Sequence, residues 1–216
     1  MKTILCYGDS NTWGYNPQTK KRYPYPLRWT SILQKELGSN YEVIAEGLNA
    51  RTTIWDDPLQ GKYLNGQRFL FTCLHTHKPL DLVIIFLGTN DLKERFQASA
   101  LKVAQGVLTL VEIVKTSQTG PEKTSPEILV IIPPPLQLTE HIKKFTHLCK
   151  IHEQAVQKSK AFSQTFQEVL KNQGHLFAAA DFISTSKIDG VHLEAKAHAL
   201  LGKKIAAFVK KRLFKI

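Results

Sequence analysis

Hydrophobic residues along the chain form two alternating patterns, short unbroken runs and longer stretches with helical spacing. The runs predict buried strands, and LDLVIIFL is the clearest because it is apolar almost throughout, as in a strand covered on both faces. The predicted strands are Lys2–Tyr7, Tyr41–Ala45, Leu80–Leu87, Ile128–Ile132 and Leu176–Ala179. The predicted helices are Arg28–Leu37, Phe69–His77, Ala98–Lys115, His147–Asn172 and Glu194–Phe214.

This alternation of strands and helices predicts a three-layer α/β fold around a five-stranded parallel sheet. Two proline-containing stretches, Tyr15–Pro26 and Asp56–Gly66, are predicted to be long surface loops. The chain has no internal repeat and no linker-like stretch, so we expect residues 1–216 to form a single domain. Its 43% hydrophobic and 22% charged residues are typical of a folded domain and argue against disorder.

The formal net charge of +11 raises the question of a polyanionic partner. The basic residues are scattered, however, with local density only at Lys203-Lys204 and Lys210-Lys211-Arg212. These positions belong to the last predicted helix, where cations complement the helix dipole. We interpret the charge as a solvated basic face and expect no nucleic-acid partner. DNA titration at two salt concentrations would test this, because binding through phosphates is strongly salt-dependent.

Cysteine and histidine positions give no pattern typical of a metal site. Cys6, Cys73 and Cys149 are widely spaced, and none belongs to a C-x-x-C pair. His75 and His77 lie two residues apart, so on a helix they would point away from each other. The chain contains no glycine-rich phosphate loop and no dinucleotide fingerprint. We therefore expect no metal and no cofactor.

The N-terminus reaches the first predicted strand too soon to contain the apolar region of a signal peptide. No segment approaches the unbroken apolar length that spans a bilayer. We therefore expect a cytoplasmic protein without stable membrane insertion.

Polar residues follow the predicted strands at the points where the strands end. The segments are Gly8-Asp9-Ser10-Asn11, Gly47-Leu48-Asn49-Ala50-Arg51, Gly88-Thr89-Asn90-Asp91 and Asp189-Gly190-Val191-His192-Leu193. In a parallel sheet the carboxyl ends of the strands lie at one edge, and ligands bind there. A serine, an asparagine and an Asp-x-x-His pair could therefore share one cleft.

Acyl transfer requires this set of side chains. A serine hydroxyl such as that of Ser10 is a weak nucleophile until a neighbouring base takes its proton. His192 is a suitable base, and Asp189 could hold its imidazole in the tautomer that accepts from Ser10. The Asn90 amide and the backbone N–H groups of Ser10 and Ala50 could stabilise the oxyanion of the tetrahedral intermediate.

Each segment alone also has a structural interpretation. Ser10 could be a helix N-cap, Asn90-Asp91 a turn, and Asp189-Gly190 a common turn signal. The combination at consecutive sheet-edge turns is what indicates a catalytic site. Ser10 does not lie in a Gly-x-Ser-x-Gly motif, which argues against the nucleophile elbow of α/β-hydrolases.

These segments resemble the SGNH (GDSL) hydrolase family over the whole chain. Gly8-Asp9-Ser10 matches the first block of the family, Gly88-Thr89-Asn90-Asp91 the third, and Asp189-x-x-His192 the last. The stretches ILCYGDSNTWGY, VIAEGLNARTT, LDLVIIFLGTNDLK and IDGVHL are similar to the bacterial arylesterase and acyltransferase branch. The resemblance implies a flavodoxin-like sheet, a Ser10-His192-Asp189 triad and an oxyanion hole formed by Ser10, Ala50 and Asn90.

The sequence departs from the family pattern at two positions. Asn11 stands where many members have leucine, so the acyl-pocket wall is expected to be more polar. Ala50 stands where a glycine is usual, although its backbone N–H can serve equally well. Tyr15 belongs to an aromatic cluster near the nucleophile and is the best further candidate for the substrate pocket.

We therefore expect a serine esterase that hydrolyses short-chain acyl esters, such as acetylated sugars or aryl esters, through an acyl-enzyme, with acyl transfer to alcohols left open. A thioesterase or carbohydrate acetylesterase with the same triad is an alternative, as is a binding module that retains the fold without turnover. The resemblance also implies a homo-oligomer, for which the Tyr15–Pro26 and Asp56–Gly66 loops offer a structural basis.

Overall fold

The computed structural model describes residues 1–143 and 153–213. Its strands are β1 (Lys2–Gly8), β2 (Tyr41–Gly47), β3 (Leu82–Phe86), β4 (Glu127–Ile132) and β5 (His175–Ala178). Its α-helices are α1 (Ser10–Trp13), α2 (Trp29–Leu37), α3 (Gly66–His77), α4 (Ala100–Thr116), α5 (Glu140–Lys143), α6 (Glu153–Lys160), α7 (Phe162–Val169) and α8 (Ala195–Phe208). Within these ranges, no helix is long and apolar enough to cross a bilayer.

The five strands form one sheet in the order β2-β1-β3-β4-β5, and every neighbouring pair is parallel. This confirms the predicted α/β fold and is the flavodoxin-like strand order. The chain moves from β1 outward to β2 and then returns to the other side of β1 for β3. Gly8 at the end of β1 is in register with Gly47 of β2 and Phe86 of β3. The turns after these three strands therefore start at the same level of the sheet.

Each face of the sheet carries its own hydrophobic core, because alternate residues of a strand point to opposite faces. On one face, Leu5 and Tyr7 of β1 pack with helices α3, α4 and α7. On the other face, Ile4 and Cys6 pack with α2 and α8. β1 and β3 are buried on both sides, which explains why their sequences are apolar almost without interruption.

Helix α8 packs closely against α2 on the second face. A Cβ atom on Gly202 would lie 2.6 Å from the backbone oxygen of Trp29, so only glycine permits this approach. One turn earlier, His198 is fully buried, and its Nδ1 accepts a hydrogen bond from the backbone N–H of Trp29 at 3.3 Å. Burial, followed by the charge of His192, lowers the pKa of His198 to about 3.

This buried histidine should make the protein less stable in acid. The pKa of His198 is lower in the folded chain than the ordinary unfolded value of about 6.5, so below that pH only the unfolded chain takes up the proton. This preferential protonation of the unfolded chain lowers the free energy of unfolding by about 2 kcal/mol at pH 5 relative to pH 8. His198→Gln keeps an acceptor for Trp29 without titrating. Urea unfolding of both proteins from pH 8 to pH 5 should show wild type losing this amount relative to the variant, whereas a constant difference would contradict the assignment.

The loop between β2 and α3 is anchored by a buried ionic cluster. Asp57 accepts from Lys93 Nζ at 3.4 Å and from Arg95 Nη2, and Gln60 Oε1 accepts from both cations at 2.9 Å. Burial opposes ionisation of Asp57, but the hydrogen bonds from Arg95 and from the backbone of Gln60 and Leu59 outweigh it and lower its pKa. Removing one partner of such a pair lowers the stability of the folded protein more than removing both, because an uncompensated buried charge remains.

Several predicted helix boundaries need correction. Helix α3 begins at Gly66 rather than Phe69, because the Asn65 side chain accepts from the N–H of Gln67 at 3.0 Å and caps an earlier turn. The predicted helix His147–Asn172 is divided into α6 and α7 at Ala161, whose N–H bonds only three residues back, to Lys158. No glycine or proline marks this break, so local sequence could not indicate it.

The two C-terminal helix predictions also extend too far. Helix α7 ends at Val169 rather than Asn172, whose φ of +61° is incompatible with a right-handed helix. Helix α8 ends at Phe208 and is followed by a π-helical turn, Val209–Leu213. Residues 147–152 and Phe214, which complete these two predictions, lie outside the described residues.

Candidate active site

The turn after β1 places Ser10 at the start of a helix. Asp9, not Ser10, is the N-cap of α1, and its Oδ1 accepts from the N–H of Asn11 at 2.9 Å. The Ser10 hydroxyl is thereby left for another contact. A Cβ atom on Gly8 would lie 2.1 Å from the Thr12 hydroxyl and 2.9 Å from the backbone oxygen of Phe86, so glycine is required where the chain turns.

Ser10, His192 and Asp189 form a continuous chain of hydrogen bonds. Ser10 Oγ lies 2.9 Å from His192 Nε2, and His192 Nδ1 lies 2.7 Å from Asp189 Oδ2. The second carboxylate oxygen of Asp189 accepts the backbone N–H groups of Val191 and His192, each at 3.0 Å. The Asp-x-x-His spacing therefore closes a turn that binds one carboxylate oxygen and directs the other at the imidazole.

The electrostatics of Asp189 favour a charged carboxylate. Burial works against ionisation, but the His192 side chain and the two backbone N–H groups outweigh it and hold the pKa of Asp189 below its ordinary value. A carboxylate at Nδ1 holds the ring proton there and leaves Nε2 as the acceptor. The arrangement can therefore take a proton from Ser10.

Asn11 connects the Ser10 helix to the His192 loop. Its Oδ1 accepts the N–H of Leu193 at 3.0 Å, and Asn11 is only 2% exposed. The sequence analysis expects Asn11 in the wall of an acyl pocket, and the structure shows in addition that its side chain joins the segments that contain Ser10 and His192. A leucine could not make this bond.

Tyr15, the other pocket candidate, lies directly beside the imidazole. The ring centroids of Tyr15 and His192 are 4.1 Å apart, with the planes tilted by 32°. The loop that contains Tyr15 is closed on itself by a bridge to Arg22. The ring therefore narrows the space next to Ser10.

The three predicted oxyanion donors come from the ends of the three adjacent strands. Asn90 Nδ2 donates to the backbone oxygen of Arg51 at 3.2 Å and lies 3.5 Å from Asp9 Oδ2, so its second N–H is weakly engaged. The N–H of Ser10 is at the first position of α1, where a helix offers free donors. Ala50 lies in the turn held by the Arg51 guanidinium, which donates to the backbone oxygens of Gly8 and Glu46.

Ala50 adopts a φ of +67°, in the left-handed region that favours glycine. An alanine there costs roughly 1–2 kcal/mol relative to a right-handed conformation. Such strain concentrates at functional turns, where the surrounding structure enforces the backbone direction. The departure from the family glycine is therefore tolerated, and the turn keeps its N–H.

Two buried carboxyl groups support these turns, and sequence reasoning gave neither a role. Asp91 is fully buried and accepts the backbone N–H of Thr53 at 3.1 Å and the Thr53 hydroxyl, which joins the second turn to the third. Burial raises the pKa of Asp91 to about 7 and that of Asp9 to about 6. Their presence inside GDS and GTND was the available signal, but only contacts with distant segments show what each one binds.

Removing the Asn90 amide should lower kcat by about 10²- to 10³-fold for an activated acetyl ester, because one oxyanion donor is lost. The side chain is only half-buried, so Asn90→Ala should fold normally. Steady-state kinetics with p-nitrophenyl acetate would measure the effect. Asn40→Ala, an exposed position far along the chain, is the matched control, and a change of less than threefold in Asn90→Ala would rule out the donor role.

Metal-ligating side chains come together elsewhere in the described chain. The group found there consists of Glu46, Cys73 and His77, on β2 and α3, and includes neither Asp189 nor His192.

A parallel α/β sheet with hydrogen-bonded serine, histidine and aspartate side chains at its carboxyl edge is an arrangement typical of serine hydrolases. The chain belongs to the GDSL-like Lipase/Acylhydrolase family, whose sequence model matches residues 6–200. This confirms the family that the sequence resembles and the α/β fold that it implied. Comparison with functionally curated proteins gives no match.

Solved structures narrow the class further. Est24, a carbohydrate acetylesterase from Sinorhizobium meliloti, is 39% identical, with a TM-score of 0.89 and coverage of 98% of this chain and 99% of that one. The native aryl esterase of M. smegmatis is 40% identical, with a TM-score of 0.90 and coverage of 99% and 100%. A putative arylesterase from Agrobacterium tumefaciens is 36% identical, with a TM-score of 0.87 and coverage of 99% and 100%. The protein is therefore a carboxylic ester hydrolase.

Proposed function

We propose that the protein is a serine esterase that cleaves short-chain acyl esters through an acyl-enzyme on Ser10. The observation that carries this proposal is the hydrogen-bond chain from Ser10 Oγ through His192 to Asp189, with steps of 2.9 Å and 2.7 Å. A nucleophile, a base and an orienting carboxylate are what ester cleavage without a metal requires.

In the first half-reaction, His192 Nε2 takes the hydroxyl proton while Ser10 Oγ attacks the ester carbonyl carbon. Asp189 stabilises the imidazolium, and the negative charge on the carbonyl oxygen is stabilised by Asn90 Nδ2 and the N–H groups of Ser10 and Ala50. The tetrahedral intermediate then collapses, the bond to the leaving alcohol breaks, and His192 returns the proton to that alcohol. The acyl group remains esterified to Ser10.

The second half-reaction repeats these steps with water as the nucleophile. His192 deprotonates the water, the acyl–Ser10 bond breaks, and the proton returns to Ser10. An alcohol can replace water at this step because His192 can deprotonate either one, so we also propose acyl transfer to small alcohols. Gas chromatography of product esters formed in the presence of a primary alcohol would detect it.

Two observations support a short acyl group. Ser10 is only 6% exposed, and the Tyr15 ring lies against His192, so the space beside the nucleophile is narrow. Two similar structures, aligned over almost their whole length, are described as a carbohydrate acetylesterase and an aryl esterase. We therefore propose acetyl esters of sugars and of phenols as the substrate class.

A p-nitrophenyl ester series from acetyl to decanoyl tests the substrate proposal. We expect kcat/KM to be highest for acetyl and butyryl and to fall steeply with longer chains. Acetylated sugar and acetyl thioester should be compared at equal concentration, with the sugar ester preferred. A preference for decanoyl would contradict the short-chain proposal, and a preference for the thioester would favour the thioesterase alternative.

We also propose a homo-oligomer built on the Tyr15–Pro26 and Asp56–Gly66 loops. These loops and the residues next to them expose Tyr25 (61%), Leu27 (43%), Leu59 (56%) and Tyr63 (57%). Large apolar side chains exposed on loops are typical of association surfaces when they form a patch. Light scattering should give a mass that is a multiple of the 24.4 kDa chain, and a monomer would overturn the proposal.

A further inference from the structure

We propose that Glu46, Cys73 and His77 form a binding site for a zinc-like divalent cation at the edge of the sheet. The ligand atoms of the three side chains all lie within 4.8 Å of one another. His77 Nε2 and the Glu46 carboxylate are already in contact, at 2.9 Å. No residue of the triad or of the oxyanion turns supplies a ligand.

The three side chains are held close together because they belong to a helix and a neighbouring strand. Cys73 and His77 are four residues apart on α3, so they lie one above the other on the same face of the helix. Glu46 is on β2, two residues after Ile44, which packs into the core that α3 covers. Since alternate strand residues share a face, Glu46 points toward α3 as well. All three ligands thus come from regular elements and not from a loop.

A tetrahedral ion requires a change in the distances between the ligand atoms, which side-chain rotation can supply. Zinc binds sulfur at about 2.3 Å and nitrogen or carboxylate oxygen at about 2.0–2.2 Å, which puts its ligands roughly 3.3–3.8 Å apart. Separations of up to 4.8 Å must shorten by roughly 1 Å, while the 2.9 Å contact between His77 and Glu46 must open. The cation replaces the proton that joins these two groups in the metal-free protein.

The donor set selects the metal. A thiolate and an imidazole favour zinc and its analogue cobalt over magnesium and calcium, which prefer oxygen ligands alone. Glu46 and the Cys73 thiolate together balance the two positive charges of the ion. The His77 and Glu46 side chains are 24% and 37% exposed, so water can enter and occupy the fourth position. Three protein ligands and one water describe an accessible site, unlike a closed structural site.

A further charged group, Arg51, lies close to the site. The Arg51 guanidinium bonds to the backbone oxygen of Glu46 and lies 4.0 Å above the Tyr7 ring. It opposes the entry of a cation, and burial raises the pKa of the Cys73 thiol to about 12, so binding must displace a proton. Both effects weaken affinity, and neither removes a ligand.

The same arginine connects the site to the oxyanion turns. Its guanidinium also donates to Gly8, and its backbone oxygen accepts from Asn90. Glu46 therefore offers a metal ligand from its side chain and an acceptor for Arg51 from its backbone oxygen.

Cobalt titration of the full-length, chelator-treated protein tests the site directly. We expect a thiolate-to-cobalt charge-transfer absorption that saturates at one equivalent and is abolished by added zinc. Cys73→Ser should lose this absorption, and His77→Gln and Glu46→Gln should retain it with affinity weakened at least tenfold. His75→Gln, on the same helix but outside the cluster, is the matched control and should bind like wild type.

Thermal unfolding supplies a second readout that does not depend on colour or activity. Zinc should raise the Tm of wild type and of His75→Gln, because a ligand that binds the folded state stabilises it, and should leave Cys73→Ser unchanged. Absence of charge-transfer absorption in wild type would overturn the proposal, as would an undiminished signal in Cys73→Ser. Ester hydrolysis by the metal-free protein is measured separately, so this outcome is distinguishable from failure of the esterase proposal.

Discussion

Ser10→Ala should lower kcat for p-nitrophenyl acetate on the order of 10⁵-fold, because without the hydroxyl no acyl-enzyme can form. The residual rate should come from oxyanion stabilisation and binding alone. Within the described ranges, the Ser10 hydroxyl is hydrogen-bonded to His192 and to no other group, so its loss should leave the fold unchanged. Near-identical circular dichroism and Tm would confirm that the loss is chemical.

Two further measurements make this prediction decisive. A serine-directed fluorophosphonate should transfer its phosphonyl group to Ser10 of wild type with loss of fluoride, which adds the phosphonyl mass to that peptide, and should leave Ser10→Ala unlabelled. Ser39→Ala, which replaces an exposed serine, should be as active as wild type and shows that loss of a serine as such does not lower activity. If Ser10→Ala keeps more than a few per cent of wild-type activity, Ser10 is not the nucleophile, whereas absence of turnover by wild type on every ester would favour the binding-module alternative.

Asp189→Asn should lower kcat by about 10⁴-fold, the loss expected when the imidazole is held in the wrong tautomer. The structure shows why the tautomer would be wrong. The backbone N–H groups of Val191 and His192 both point at Oδ1 of residue 189, so they would bind the amide oxygen of the asparagine. Its NH₂ would then face His192 Nδ1 and force the ring proton onto Nε2, which could no longer accept from Ser10.

Kinetics and NMR together test this explanation. The imidazole proton of wild type should be on Nδ1, and that of Asp189→Asn on Nε2, with the Tm little changed. The double variant Ser10→Ala/Asp189→Asn should be no slower than Ser10→Ala alone, because residues that act as a unit are not additive. Asp181→Asn, which replaces an exposed aspartate, is the control and should be as active as wild type. A loss of less than tenfold would show that Asp189 does not orient the base.

Much of this architecture could be predicted from the sequence, because the patterns that determine strands and turns extend over only a few residues. Uninterrupted apolar runs such as LDLVIIFL require a strand covered on both faces, and the structure buries every residue of Leu82–Phe86. Once the strands are parallel, their carboxyl ends share an edge, so the residues after β1, β3 and β5 had to approach one another. The short turns themselves set the geometry of Asp9 and Asp189, whose side chains accept backbone N–H groups two or three residues further on.

What the sequence left undecided depends on contacts between distant segments. Asn11 was expected only in the pocket wall, and its bond to the backbone of Leu193, 182 residues away, is a contact that no local pattern indicates. Cys73 and His77 gave no metal signal alone, since their third partner is Glu46, on a strand placed beside α3 by the sheet.

Sequence by itself therefore determined the parallel sheet and the edge at which the chemistry lies, because hydrophobic periodicity and turn residues act over a few positions. Tertiary structure alone decided which buried polar groups meet, as with Asp91 and Thr53 or Lys93 and Asp57. A buried polar group must find a partner, and the partner available is set by how helices and loops pack, which no local pattern encodes.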